Sequence, residues 1–181
     1  MAEYILTVDD QDRETGYMEK MEAHEKGVLH RAFSVMIFND EGEVLLQKRA
    51  KMKYHSPGLW ANSCCSHQRE GETLTEAVSR RIKEELGITC DCKEEFKFRY
   101  QVEFDNGLIE HEIDHVFIGH YNGTVVPNED EVEEICWVSL DKLNKEMSKH
   151  PENFTYWFKI LMKQPEMQLI GQQISEDKEW K

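Results

Sequence analysis

Residues 60–87 read WANSCCSHQREGETLTEAVSRRIKEELG, a loop bearing cysteines and a histidine that feeds directly into a helix. Projected at about 100° per residue, residues 72–86 place Leu74, Ala77, Val78, Ile82 and Leu86 on one apolar arc. Gly87 follows, as a helix stop should. Such an arc must be buried against another element, and the runs on either side of the helix are strand-like. Arg81 and Glu85 also fall within the arc. Charged side chains are rarely buried unless they are paired or hold a ligand, so these two are either an ion pair one helical turn apart or part of a site.

Reading outward from the helix, residues 32–38 and 43–48 are β-rich and joined by Asn39-Asp40-Glu41-Gly42, a hairpin signal. Beyond Gly87, residues 96–104 and 108–121 repeat the pattern around Asp105-Asn106-Gly107. Residues 4–8 predict a short strand and DDQDRETG the turn after it, while residues 19–25 fit a loop or a short helix. Val125-Val126 and residues 135–138 suggest further short strands around the acidic stretch NEDEVEE. Residues 140–147 and 154–162 are helical in character, and a polar tail from about 165, ending GQQISEDKEWK, is expected to fray. Strands on both sides of a central helix, with later helices to cover the sheet, predict one domain over residues 1–181. Its class is α/β, an α/β/α sandwich on a mixed β-sheet.

The 36 acidic against 22 basic side chains leave a net charge of −14, which weighs against nucleic acid or an anionic membrane as the main partner. Against that background the segment RAKMKYHSPGLW, carrying Arg49, Lys51, Lys53 and His55, stands out as a local basic pocket. There is no basic, apolar leader and no apolar run long enough to span a bilayer. The five cysteines, odd in number in a chain large enough to need no staples, read as reduced thiols of a cytoplasmic protein. Neither Cys64-Cys65 with His67 nor Cys90-x-Cys92 has zinc-knuckle spacing.

The strand LIEHEIDHVF carries the densest chemistry. Alternation places Glu110, Glu112 and Asp114 on one face and His111, Ile113 and His115 on the other. Two carboxylates two residues apart, in a chain that also offers His24, His30 and His67, can make an N/O site for a divalent ion such as Mn, Zn or Mg.

These residues also form a recognisable set. The hairpin, the loop-helix and the ending RRIKEELGI resemble the Nudix fold and its box, a loop-helix-loop that binds a diphosphate-bound metal. Aligned on its end, the box runs Ser66, Glu72, Arg80, Arg81, Ile82, Glu84, Glu85, Gly87. Ser66 stands where the hydrolases have glycine, and Arg81 where they have the first glutamate of their REUxEE run. That glutamate belongs to the metal cluster that activates water. A Nudix hydrolase of a nucleoside or prenyl diphosphate is therefore the alternative reading, and a non-catalytic module on the same fold a further one.

With the flanking motifs, the departures resemble the type I isopentenyl-diphosphate isomerases. The loop Ala61-Asn62-Ser63-Cys64-Cys65-Ser66-His67-Gln68, the strand Glu110-His111-Glu112 and the lead-in EAHEKGVLHRAF follow that family's order over about residues 4–162. Ala61 and Gln68 replace its usual Thr and Pro, beside the catalytic positions rather than on them.

The resemblance implies transfer of a double bond in isopentenyl diphosphate by protonation and deprotonation through a tertiary carbocation. Cys65 and Glu112 would be the acid–base pair; the sequence does not decide which donates, but Glu112, with Tyr100 hydrogen-bonded to it, is the better candidate donor, with Cys65 then acting as thiolate. Trp157 would face the cation. His24, His30, His67, Glu110 and Glu112 would hold Mn, Mg or Zn, and Glu85 a Mg ion bridged to the diphosphate. Lys20, Arg49, Lys53 and Arg81 would clamp the diphosphate. A monomer or weak dimer with a small-molecule substrate is the expected working form.

Overall fold

The computed structural model describes residues 2–53 and 55–176. Within them, nine strands form one mixed sheet with helices on both faces, the layering expected from the sequence. The chain opens with an antiparallel hairpin of β1 (Tyr4–Val8) and β2 (Glu14–Glu19). Here the predicted turn was too long. Asp9 closes it alone, its side chain accepting from the backbone N–H of Gln11 and Arg13 at 2.9 and 3.0 Å, and residues from Glu14 onward are strand. The outer face of β2 is exposed and polar, so it lacks the alternation by which a strand is read. Helix α1 (Lys20–Lys26) follows and ends at Gly27 in the left-handed region, φ 66°.

Strands β3 (His30–Phe38) and β4 (Glu43–Arg49) are joined by the predicted turn, in which the Asn39 side chain accepts from the backbone of Glu41 and Glu43. They pair only at Phe38↔Val44 and then part. From there β3 runs beside β1, antiparallel to β6 (Cys64–His67) and parallel to β8 (Ile109–His120), while β4 joins β5 (Trp60–Ala61) and β9 (Val132–Ser139). Parting of the two strands opens a cleft, and the site lies there. β7 (Cys92–Glu103) forms the second predicted hairpin with β8. Val125 and Val126 are not in a strand.

Helix α2 (Leu74–Leu86) begins two residues later than its periodicity suggests, because Thr73 caps it in a capping box with Glu76. It ends at Gly87, where φ is 68° and a Cβ would stand 2.8 Å from the Val126 carbonyl oxygen. Its apolar arc packs on Phe33, Val35 and Ile37 of β3. The opposite side of that strand, Met36 and Phe38, meets α4 (Tyr156–Lys163) and α5 (Pro165–Glu176), with α3 (Leu140–Lys149) beside them. The tail expected to be polar from about 165 is thus helical to Glu176, with Met167 and Ile174 buried. Its last residues, 177–181, lie outside the described ones.

Candidate active site and metal centre

Five of the predicted ligands converge. α1 delivers His24, β3 begins with His30, β6 ends with His67, and β8 carries Glu110 and Glu112 on its buried face. The parallel register that sets His30 opposite Glu112, and the antiparallel one that sets Ala32 opposite His67, bring these ends together. Glu112 Oε1 lies 3.1 Å from His30 Nε2 and 3.0 Å from His67 Nε2, and Glu110 Oε1 lies 3.3 Å from His24 Nε2. The Tyr100 hydroxyl sits 2.6 Å from Glu112 Oε2 and 2.8 Å from Glu110 Oε2, so its one proton is shared between two acceptors.

Buried carboxylates facing imidazoles need explaining. The Nδ1 atoms of His24 and His30 lie 2.6 and 2.8 Å from the carbonyl oxygens of Lys20 and Val28. A carbonyl can only accept, so Nδ1 carries a proton in both rings and Nε2 is the nitrogen turned on the carboxylates. Burial opposes a charge on His24, but Glu110 and the Lys20 carbonyl outweigh it and raise its pKa, whereas burial pushes His67 down to about 4, so that ring is neutral at ordinary pH. Burial opposes the charge on Glu112, as does Glu110, yet His30 and His67 hold it below the usual carboxylate value. Glu110 is held well below, its burial outweighed by His24 and His55. Buried carboxylates and imidazole nitrogens turned on one another call for a cation, and one donor atom from each of His24, His30, His67 and Glu112 lies within 4.8 Å of the others. The residues fit a divalent metal.

A cleft opens beside this cluster. Cys65, half-buried, lines it together with Glu112, Tyr100 and Trp157. Burial, reinforced by the charges of Glu85, Asp114 and Glu112 and opposed by Arg49, pushes the Cys65 thiol up to about 12. Trp157 is fixed on α4 with its indole N–H donating to Asn62 Oδ1 at 3.1 Å. Asn62 in turn donates to the Val35 and Cys64 carbonyls, and Arg49 lies 5.2 Å from the indole centre.

The four predicted cations all line the cleft. Arg81 pairs with Glu85, and also with Glu84 at 2.8 Å and Glu131 at 3.4 Å, so the ion-pair reading of the helix is realised within the site. Lys53 pairs with Glu131 as well, and burial, reinforced by Arg49 and Arg81 and opposed by Glu85, brings it down to about 8. Lys20 reaches Glu3 at 3.4 Å. Glu85, 3% exposed, accepts from Gln47 Nε2 at 2.9 Å and stands apart from the His/Glu cluster. Gln68 donates to the Glu72 carbonyl at 2.8 Å, and Arg80 grips the Glu72 carboxylate at 2.7 and 2.9 Å, so loop and helix are tied at their junction.

Several residues were missed by sequence reasoning. His55 lies 2.8 Å from Glu110, Glu131 bridges Lys53 and Arg81, and Asp114 lines the cleft with Ser34 donating to it at 2.7 Å. Asp114 had a signal in strand alternation, which sets it on the face of Glu110 and Glu112, whereas His55 was named only as part of the basic segment and Glu131 lay within the acidic stretch NEDEVEE. Cys90 and Cys92, 3.9 Å apart at sulfur, lie outside the clusters with metal-ligand geometry.

Among known proteins, the NUDIX domain family matches residues 28–158. A protein of Aromatoleum aromaticum named isopentenyl-diphosphate delta-isomerase 2 is 45% identical over 157 residues, 87% of this chain and 83% of its own. One of Pectobacterium atrosepticum, named isopentenyl-diphosphate delta-isomerase, is 47% identical over 156 residues, 86% of this chain and 87% of its own. A crystal structure of a Deinococcus radiodurans protein superposes with a TM-score of 0.67 at 18% identity, covering 81% of this chain and 90% of that one, which speaks to the fold. Identity of this extent, running through both the box and the flanking strands, places the chain in the type I isopentenyl-diphosphate delta-isomerase family of the Nudix superfamily.

Proposed function

We propose that this chain converts isopentenyl diphosphate to dimethylallyl diphosphate, moving a double bond by protonation at one carbon and deprotonation at another. The observation that carries the reading is that Cys65 and Glu112 line one cleft with Tyr100 on the carboxylate and an immobilised indole between basic and acidic walls. An isomerisation takes up one proton and releases one. Cys65 as thiol and Glu112 as carboxylate hold one proton between them and are returned holding one. In the free chain that proton rests on Cys65. Delivery by Glu112, the better candidate donor of the pair, therefore follows its passage to the carboxylate, where the Tyr100 hydroxyl stabilises the charge that delivery leaves behind.

Trp157 faces the developing cation, and its tie to Asn62 holds the ring still without reorganisation. Arg49, Lys53, Lys20 and Arg81 bind the diphosphate, Arg81 giving up part of its contact with Glu84 and Glu131 to do so. His24, His30, His67, Glu110 and Glu112 would hold Mn, Mg or Zn, and Glu85 a Mg ion arriving with the diphosphate. Bound there, the ions supply positive charge that compensates the buried carboxylates and the diphosphate. We assign the chain to the cytoplasm, without a nucleic-acid or membrane partner, on its net charge of −14 and its free cysteines, and take a monomer or weak dimer as its working form. No helix among the described residues is long and apolar enough to cross a membrane.

Incubation with isopentenyl diphosphate and Mg in deuterated water tests the reading. Dimethylallyl diphosphate carrying deuterium is expected. Release of phosphate without that product would refute it.

A further inference from the structure

His55 is buried at 6% exposure yet lies on the irregular connection between β4 and β5, not on a strand or helix. The next residue, Ser56, has a φ of 50°, uncommon for a residue with a side chain. The ring is held flat on Phe104, centroids 5.3 Å apart and planes within 9°, and edge-on to Trp157 at 5.5 Å. Arg49 donates to the His55 carbonyl at 3.3 Å. All of this directs Nε2 to within 2.8 Å of Glu110 Oε1, the oxygen that also faces His24 at 3.3 Å. One donor atom from each of His24, His55 and Glu110 lies within 4.8 Å of the others, a spread that an ion with bonds of about 2.0–2.2 Å closes by small side-chain movements.

This group shares His24 with the cluster of His30, His67 and Glu112. The Nε2 of a neutral imidazole has a single lone pair and can serve one ion, so the two groups describe one centre rather than two.

We propose that His55 is a further ligand of the His/Glu metal centre, making it a set of four imidazoles and two carboxylates. The inference deepens the reading of a metal-dependent isomerase site, and rests on it only for the presence of the centre. A fourth nitrogen favours ions that prefer imidazole, such as Zn, over Mg, which prefers oxygen. It also joins the ion to the connection that carries Lys53, so the metal centre and the diphosphate clamp share one short stretch of chain.

The test needs no substrate. Chelator-stripped wild-type protein, His55→Ala and His55→Phe are titrated with Zn alone and with Mg alone, the phenylalanine keeping the stack on Phe104. Both variants are expected to bind Zn about tenfold or more weakly while Mg affinity changes less than about threefold. Unchanged Zn affinity in the phenylalanine variant would overturn the proposal. So would equal losses for both ions, which would assign His55 to packing alone. If the wild-type chain fails to isomerise isopentenyl diphosphate but shows the His55-dependent Zn affinity, the inference stands and the proposed reaction falls.

Discussion

Cys65, half-buried, and Glu112, buried, sit in opposite electrostatic circumstances. Burial and three nearby carboxyl groups keep the thiol protonated, while two imidazoles keep the carboxylate ionised. Neither group holds the fold together: Cys65 is half-buried, and Glu112 is compensated by its neighbours. Cys65→Ala and Glu112→Gln are therefore each expected to lower turnover at least about 10³-fold while leaving the far-UV circular dichroism unchanged. Wild-type turnover in either variant would remove that residue from the acid–base pair. Individual residues were unevenly legible. The histidines and carboxylates of β3, β6 and β8 lie on regular elements whose alternation can be read from the sequence. His55 and Glu131 lie on irregular connections, where nothing in the spacing indicates the direction of a side chain. Asp114 shared the legible face, but only the structure shows Ser34 closing on it.

At the level of elements, the central helix was legible because three signals coincide: the apolar arc, the Thr73/Glu76 box and Gly87. Two of these can be tested separately. Thr73→Ala leaves the Glu76 amide without its cap and is expected to cost about 1 kcal/mol, and Ile82→Ala, emptying a site 1% exposed, about 2–5 kcal/mol. Chemical denaturation would check both, and a larger loss from the cap than from the core would contradict the ranking. β2 and α5 were missed for opposite reasons. β2 is polar because it is an edge strand with one face in water. α5 buries only Met167 and Ile174 beneath a polar exterior, too small a stripe to stand out from a tail.

The whole molecule is tied across long stretches of chain by charge as well as by its sheet. Glu3 is an instance: burial opposes its ionisation, but Lys20 of α1 and Arg69 before α2 outweigh that and bring the carboxyl from 4.5 to about 2. A carboxyl with a lowered folded-state pKa contributes stability that is present above its unfolded value and is lost as pH falls through the folded one. Unfolding free energy should therefore decline between pH 4.5 and about 2, and Glu3→Gln should decline less steeply over that window in urea titrations. Parallel slopes for the two proteins would show that these ion pairs add nothing. The layered architecture was legible from the order of strands and helices. The parting of β3 from β4 was not, since it depends on β6, about thirty residues further on, taking the edge of β3 that its hairpin neighbour leaves, while β8, about eighty residues further on, pairs along the other edge.

The pairing of β3 with β8 also has a kinetic side. His30 meets Glu112 only after the chain between them has closed a loop of that length, and loops so long are slow to find. The hairpins β1–β2 and β7–β8 can form from neighbours in sequence, whereas the proposed metal centre needs α1, β3, β6 and β8 together. On the ribosome, the nascent chain therefore has no catalytic centre until β8 has emerged, and the carboxylates that complete it are among the last parts of the sheet to be synthesised.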